Sequence, residues 1–462
     1  MNGPMRVYLD FLGCRLNEAE LERWRRQFVR RGCVVVARPE EADVCVLNTC
    51  AVTATASRQS RQVARRLHRR NPQAHIVFAG CDAEMEPERA AALPGVDLLI
   101  GNRDKDRLVD IVLERFGDEV SMPSAAQEPD SAHVFPGVRT RAFLKVQDGC
   151  NNHCTFCIVS ALRGDERSRP VQEVVQEVHH LVALGYREVV LTGVHLGGYG
   201  RDLGLHLGDL VRALLDETPI ERLRLSSLEP WDIPPTFFDL WRHYEGRLMP
   251  HLHLPLQSGC DATLRRMGRR YTTEQYRALV DAARSRIPDV VITTDIIVGF
   301  PGETEAEFEA TLKYVERMAF GHIHIFTYSP REGTPAARMP GHLSNEVKKE
   351  RSRRLHVLMR RLKQQLLSRF VGSQRPVLWE EVVEADGQTR VWSGLTDNYL
   401  RVYARVPANV NLQNAITPTR LVCVLDGERL LGEPDLSEAS WPERRPQESL
   451  PVLMLTPAVV SP

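Results

Sequence analysis

This 462-residue chain has no excess of either charge: 60 lysines and arginines balance 60 aspartates and glutamates. Zero net charge excludes a globally basic nucleic-acid binder and an acidic solvating chain, so any surface for a polyanion has to be local. The chain also lacks an apolar run of 18 residues, which excludes a membrane-spanning helix, and no membrane partner is expected. Its first residues run straight into a strand-like segment, with no apolar signal core. Cysteine is scarce: ten residues, unevenly spaced, are too few for a disulfide scaffold. A reducing, cytoplasmic compartment is the expectation. No repeat of fixed period is present. Hydrophobic residues make up 43%, ordinary for a globular chain long enough for about three domains.

Three of the ten cysteines lie close together. Cys150, Cys154 and Cys157 form a C-x3-C-x2-C run, Gly149-Cys150-Asn151-Asn152-His153-Cys154-Thr155-Phe156-Cys157. Three thiolates at this spacing hold three irons of a [4Fe–4S] cluster and leave the fourth open. An open iron binds the amino and carboxylate groups of S-adenosylmethionine (SAM) and passes an electron to its sulfonium. A structural zinc site needs four closed ligands, usually in C-x2-C pairs. No fourth cysteine is near, and His153 lies inside the loop, where it would crowd the metal.

The pattern along the chain is α/β. Strand candidates at 6–11, 44–47 and 76–79 alternate with helical patterns at 18–31 and 56–70, which predicts an N-terminal small parallel-sheet domain over 1–116. Residues 117–138 are polar and aperiodic and read as a linker. Six further strand candidates, at 142–146, 188–191, 222–226, 251–255, 290–298 and 322–328, predict a central partial (β/α)6 barrel with its chemistry on the loops after the strands. That domain spans 139–370 and ends in a long helix over 344–370, whose Leu355, Leu358, Leu362, Leu366 and Phe370 read as a packing stripe. Residues 371–433 are β-rich and predict a C-terminal small antiparallel β-barrel; the tail from 434 reads as loose.

Cys14, Cys50 and Cys81 each follow one of the first three strand candidates. In a parallel sheet, the loops after successive strands open on one edge. Gly13 and Gly80 allow tight turns there. Two readings fit: three buried small residues, or three thiolates holding a second cluster. Cys33, Cys45, Cys260 and Cys423 lack such partners and read as non-ligands.

Together these segments resemble the methylthiotransferase family of radical SAM enzymes over about residues 5–433. The resemblance rests on Gly13-Cys14-Arg15-Leu16-Asn17, Asn48-Thr49-Cys50-Ala51-Val52-Thr53, Ala79-Gly80-Cys81, the Cys150–Cys157 run, 253–259 (HLPLQSG) and 295–304 (DIIVGFPGET). It implies two [4Fe–4S] clusters, the second on Cys14, Cys50 and Cys81, SAM as cofactor, a partial barrel of radical SAM type and a TRAM-like terminal barrel. The runs 191–200 (LTGVHLGGYG) and 48–62 are closest to the branch that modifies N6-threonylcarbamoyladenosine (t6A) at position 37 of tRNA. Relatives act on isopentenyladenosine in tRNA or on a ribosomal-protein aspartate. A non-catalytic iron–sulfur RNA-binding protein is the remaining reading. The implied chemistry is SAM cleavage to a 5′-deoxyadenosyl radical, hydrogen removal at C2 of the adenine, sulfur insertion there, and methylation from a second SAM. An electron donor is required, and the sequence does not identify it. No protein general base is called for. For SAM itself the resemblance implies Phe156 near the adenine, Thr192 and Gly193 at the amino group, Glu229 at the ribose hydroxyls, and Gly299 with Gly302 as a close-approach loop. Glu229 also reads as a solvated carboxylate, and the two glycines as an ordinary turn.

Two basic segments stand out against the neutral whole. The helix over 56–70 holds Arg58, Arg61, Arg65, Arg66, Arg69 and Arg70 and no acid; Arg58, Arg61 and Arg65 are spaced for one face and are the candidate RNA contacts. Residues 348–369 carry nine basic residues against Glu350, and Arg265, Arg266, Arg269 and Arg270 form a shorter patch. Arg15 and Arg163 are the candidates to grip the threonylcarbamoyl carboxylate, because a guanidinium binds a carboxylate through two parallel bonds.

Overall fold

The computed structural model describes residues 4–117 and 140–439, so nearly all of the expected linker, and the tail beyond 439, lie outside it. The N-terminal unit runs β1 (Arg6–Phe11), α1 (Arg15–Arg30), β2 (Val34–Val35), β3 (Val44–Thr49), α2 (Ala54–Arg70), β4 (His75–Gly80), α3 (Cys81–Met85), α4 (Pro87–Ala91), β5 (Val96–Ile100) and α5 (Leu108–Phe116). In β3, Val44 and Val46 face one core while Cys45 and Leu47 face the other; β4 repeats this with Val77 and Ala79 against Ile76 and Phe78. Strands buried on both faces belong at the centre of a parallel sheet, and the observed order is β2-β1-β3-β4-β5, all parallel. β2 and β5 are not among the strands expected from pattern. Because β2 takes the edge, the three strands that precede Cys14, Cys50 and Cys81 stay adjacent.

The central unit runs β6 (Arg141–Asp148), α6 (Val159–Arg163), β7 (Arg167–Ser168), α7 (Val171–Ala183), β8 (Glu188–Gly193), α8 (Leu207–Glu217), β9 (Arg222–Leu225), α9 (Asp239–His243), β10 (His251–His253), α10 (Asp261–Arg266), α11 (Thr273–Arg286), β11 (Val291–Val298), α12 (Glu305–Met318), β12 (His322–Thr327) and α13 (Asn345–Phe370). β6-β8-β9 and β10-β11-β12 are parallel runs, joined by isolated parallel bridges such as Ser227↔His253. The result is an open barrel of six parallel strands. Its helices pack outside on alternate strand residues such as Leu144, Val189, Leu223 and Ile292, leaving Phe143, Val190, Arg224, Thr293 and His324 on the inner side. The stripe on α13 is packing: Leu355, Leu358 and Leu362 join the barrel core, and Leu366 and Phe370 join that of the next unit.

β13 (Gln374–Ala385), β14 (Thr389–Thr396), β15 (Arg401–Pro407), β16 (Ile416–Leu425) and β17 (Arg429–Pro434) form a closed barrel in the order β13-β14-β15-β17-β16. Its neighbours are antiparallel except β15 and β17, which run parallel. A ring of five strands cannot alternate direction all the way round, so the expected small antiparallel barrel closes through one parallel pair. Among the described residues, no helix is long and apolar enough to cross a membrane.

One buried ion cluster ties the N-terminal unit to the open barrel. Glu20 on α1, 2% exposed, accepts from Lys105 (2.6 Å), from Lys145 on β6 (3.3 Å) and from Arg163 on α6 (3.1 Å); Arg163 also reaches Asp148 (3.0 Å). Burial pushes the Glu20 carboxyl up, but the three cations win and hold it well below its ordinary 4.5. Its contribution is therefore complete above about pH 4.5 and is lost only as pH falls through the depressed value. Glu20→Gln leaves cations buried without their partner. We expect it to cost about 3–5 kcal/mol, read as a lower urea midpoint at pH 7, and the gap to wild type should narrow in strong acid.

Candidate active site

The parallel sheet brings Cys14, Cys50 and Cys81 to one edge. Cys14 caps α1, Cys50 directly follows β3, and Cys81 directly follows β4. Gly13 has φ +100°, and a Cβ there would lie 2.7 Å from Cys50 Sγ. Gly80 has φ +101°, with Asn48 Oδ1 2.8 Å from where a Cβ would lie. Both turns thus need glycine for their backbone and for their space. Asn17 staples the loops together: its side-chain amide donates to Leu12 O (2.7 Å) and Thr49 O (3.0 Å), while its oxygen accepts from Arg163 (3.2 Å). Burial pushes the Cys50 thiol up to about 11, and Cys14 and Cys81 push it further in the same direction. Asn102 lies 3.8 Å from Cys81 Sγ and donates to Leu162 O at 3.0 Å.

Cys150, Cys154 and Cys157 lie on the loop after β6. Gly149, at φ +76°, opens that loop where a Cβ would strike Asp165 O at 1.9 Å. Cys150 N donates to Gly164 O, Thr155 N to Met267 O and Ala336 N to Thr155 O, so the loop is pinned at both sides. Burial pushes Cys150 up to about 11 and Cys157 to about 12, with the neighbouring thiols adding to both. All ten cysteines are free. Cys50 in one set, and Cys150 and Cys157 in the other, are thus penalised on ionising by burial and by neighbouring thiols, a state that bound iron would relieve by supplying positive charge. The loops of the two sets meet: Cys81 and Ala51 pack with Ile158, the residue after Cys157, and with Leu162 on α6.

The residues expected at SAM divide. Glu229 is not a solvated carboxylate. It bonds Arg269 (2.5 Å), and Arg269 donates to Cys154 Sγ (3.5 Å) and to Pro255 O (2.9 Å) while stacking 4.5 Å from the Trp231 ring. Gly193 backs onto Gln147, whose amide donates to Gly149 O (2.9 Å) and whose oxygen accepts from His195 N (2.7 Å). Thr192 is buried in β8, in register with Lys145 of β6. Phe156 packs edge-on against Phe300, ring centroids 6.4 Å apart, in an apolar cluster with Met267 and Tyr328. Gly299, at φ +73°, is buried under Lys348, whose Cγ lies 2.4 Å from where a Cβ would be. The close approach it permits is that of α13. Gly302, also at φ +73°, donates to Gly341 O.

Pattern reading missed the buried set that orients the Cys150 loop. His195 bonds Glu166 (2.6 Å) and Asp232; Glu166 accepts from Asn151 N (3.2 Å), and Asn152 contacts the His195 ring (3.2 Å). Burial lowers the His195 pKa, but its bonds to Asp232 and Glu166 raise it further, to a net rise. Arg269 was equally hidden, sitting in what reads as a surface basic patch; in the same patch Arg266 pairs with Glu307 (2.7 Å).

The arginine face also needs correction. Arg61 is 8% exposed and pairs with Asp82 (3.2 Å) and Glu86 (3.5 Å), so it faces α3 and is closed to RNA. Arg58, Arg65 and Arg69 are exposed and form no ion pair among the described residues. On α13, Arg351 pairs with Glu303, Arg353 with Glu350, and Arg354 and Arg361 with acids of α12, which neutralises much of that basic segment. Arg163 is fully committed to Glu20, Asp148 and Asn17 and cannot grip a substrate carboxylate.

Comparison with known proteins agrees with this layout. The radical SAM superfamily matches residues 144–315, and the uncharacterized protein family UPF0004 matches 6–101. The chain is 37% identical over 405 residues to threonylcarbamoyladenosine tRNA methylthiotransferase MtaB of Bacillus subtilis (strain 168), spanning 86% of this chain and 89% of that one. It is 38% identical to MtaB of Thermotoga maritima over 86% of this chain and 90% of the relative. It is 37% identical to tRNA-2-methylthio-N(6)-dimethylallyladenosine synthase of Geobacillus kaustophilus, over 82% and 74%. In fold it is similar to the radical SAM methyltransferase TsrM of Kitasatospora setae, with TM-score 0.54, 16% identity, and 72% and 77% of the two chains covered.

Reconstituted anaerobically, the wild type should hold about eight irons per chain, as two four-iron clusters require. Replacing Cys14, Cys50 and Cys81 by alanine should halve the iron and leave reductive SAM cleavage measurable. Replacing Cys150, Cys154 and Cys157 should halve the iron and abolish cleavage. Full iron in the first variant, by colorimetric assay, would show that those three thiols hold no cluster.

Proposed function

This chain belongs to the radical SAM tRNA methylthiotransferases, and we propose that it adds sulfur and a methyl group at C2 of N6-threonylcarbamoyladenosine-37 of tRNA, giving 2-methylthio-t6A. The observation that carries the chemistry is the meeting of two three-thiol loops, with Cys81 and Ala51 packed on Ile158 and Leu162 just past Cys157. The residues present fit two [4Fe–4S] clusters: each set is undisulfided and glycine-cradled, Cys50 and Cys81 are buried while Cys150, Cys154 and Cys157 are half-buried and Cys14 is exposed, and each set has a donor near a sulfur, Arg269 at Cys154 and Asn102 at Cys81. Bound there, the clusters supply the electron for reductive SAM cleavage and the sulfur, and a second SAM is the methyl donor.

The chain's own residues position and enclose. Arg269 holds Glu229 beside Cys154, where the carboxylate is placed to receive ribose hydroxyls of SAM. Gln147 and His195 brace the Gly193 backbone and the Cys150 loop together, so the methionine end of SAM meets preformed backbone groups. Ala51, Ile158 and Leu162 form an apolar seal between the thiol sets, which excludes water from a reactive radical. Arg58, Arg65 and Arg69 line the outer face of α2, the helix that starts just beyond the Cys50 loop. They are positioned to take phosphates of the anticodon arm.

The function is tested with anticodon stem-loops carrying t6A, isopentenyladenosine or plain adenosine, with SAM and a one-electron reductant. The expected product is 2-methylthio-t6A, by nucleoside mass spectrometry; preference for the isopentenyl substrate would move the enzyme to the dimethylallyl branch. For the RNA face, Arg58, Arg65 and Arg69 changed together to glutamate should weaken tRNA binding and flatten its salt dependence by about one unit of log–log slope per lost contact, with iron content unchanged. Unaltered affinity at matched salt would assign that face to solvent.

A further inference from the structure

A second concavity opens inside the partial barrel. It has a volume of about 420 Å³, and the residues on its wall come from all three units. Phe143, Val190, Arg224, His253 and His324 face it from the barrel strands; Tyr399 and Arg401 close it from the terminal barrel; Arg15 enters from α1, one residue after Cys14. Nothing in the cluster or SAM assignments uses it.

Its wall carries one carboxylate, Glu428, against Arg15, Arg141, Arg224, Arg401 and Lys363. Glu188 is shared by Arg222 (2.9 Å) and Arg224 (2.7 Å), and Glu380 by Arg141 (2.8 Å) and Arg401 (2.5 Å), so four arginines meet two carboxylates. Arg15 adds a fifth guanidinium. Asp295, near the wall, is hydrogen-bonded to His253 (3.2 Å). His251, His322 and His324 are held below the ordinary histidine range by burial first and by neighbouring cations and imidazoles second. They face the space as neutral hydrogen-bonding rings. A concavity with more fixed cations than carboxylates on its wall, and neutral polar rings beside them, favours an anionic, hydrogen-bonding occupant over an apolar one. His253, Asp295 and His324 also have donor atoms within 4.8 Å of one another, but the surrounding arginines oppose a cation there.

Among these arginines Arg15 differs. Its side chain is 56% exposed, against 11% for Arg141, 2% for Arg224 and 33% for Arg401. Its guanidinium carbon lies over the Phe143 ring, 5.0 Å from the centroid. Its one ion pair among the described residues, to Glu18 at 2.9 Å, is an i,i+3 contact on a half-exposed side chain, of a kind easily exchanged for a better anion.

We propose that this concavity receives the threonylcarbamoyl arm of the substrate adenosine and that Arg15 binds its carboxylate, making Arg15 a specificity-determining residue. The inference rests on the t6A reading above. Cys14 fixes the geometry: a sulfur held there must meet C2, while the N6 arm, on another edge of the same ring, extends away from it into the barrel. An isopentenyl arm in the same space would leave the cationic wall facing hydrocarbon, so the wall rejects it as well as accepting the anion.

The test uses the reconstituted holoenzyme and two stem-loops, one with t6A and one with its carboxamide analogue, in which the carboxylate is replaced by a neutral amide. Wild type should favour the carboxylate by about 10- to 100-fold in kcat/KM, the range for a charged hydrogen bond in a buried site. In Arg15→Ala the preference should collapse towards one, by loss on the t6A substrate; Arg15→Lys should retain most of it. Iron content of each variant reports whether Cys14 still binds. Equal losses on both substrates in Arg15→Ala, or an undiminished preference, overturn the Arg15 assignment. Wild-type turnover of t6A without preference over the amide overturns it too, while leaving the proposed function standing. Absence of wild-type turnover on t6A, with turnover on the isopentenyl stem-loop, removes the function and this inference together.

Discussion

Glu20 is the interaction on which the rest of the architecture depends. A carboxylate at 2% exposure is tolerable only because Lys105, Lys145 and Arg163 converge on it from both sides of the junction. Removed from that junction it would be an uncompensated buried charge. The cluster therefore fixes α1 against β6 and α6. That placement carries Cys14 to the mouth of the open barrel and brings Cys81 onto the helix that follows Cys157. Arg163 shows the economy of the arrangement: the same guanidinium holds Glu20, Asp148 at the end of β6, and Asn17 in the first turn of α1.

The thiols impose the second constraint. Within the two sets, Cys50, Cys150 and Cys157 are pushed to about 11 or 12 and Cys154 is raised as well, so these four are unfavourable as thiolates in bare protein. Metal charge resolves that conflict, and the surrounding donors refine it. Arg269 lies at Cys154 and also holds Glu229, so one side chain tunes a sulfur and positions a ligand-binding carboxylate. The buried His195 between Glu166 and Asp232 sets the loop from its other side.

Charge neutrality conceals a strong partition. Acids on α12 cancel much of the basic run on α13. The outer face of α2 keeps Arg58, Arg65 and Arg69 uncancelled, and the barrel interior keeps more guanidinium than carboxylate. One partition suits a phosphate backbone on the outside, the other a single anionic group within.

Local pattern determined much of this protein. The C-x3-C-x2-C run, the strand and helix alternation and the long stripe on α13 are short-range features, and each survives in the structure. The Cys14, Cys50 and Cys81 set was half-legible: parallel topology predicts one edge, but only the placement of β2 at the rim keeps their strands adjacent. Helical spacing put Arg58, Arg61 and Arg65 on one face; it carried no information about which arc of α2 meets α3, and Asp82 and Glu86 take Arg61. Arg269, Glu166 and Asp232 were invisible for the same reason. Their roles depend on partners tens of residues away, and periodicity reports which side of an element a residue occupies. What stands opposite that side is settled by packing, where buried charges must find counter-charges and only the folded chain supplies them.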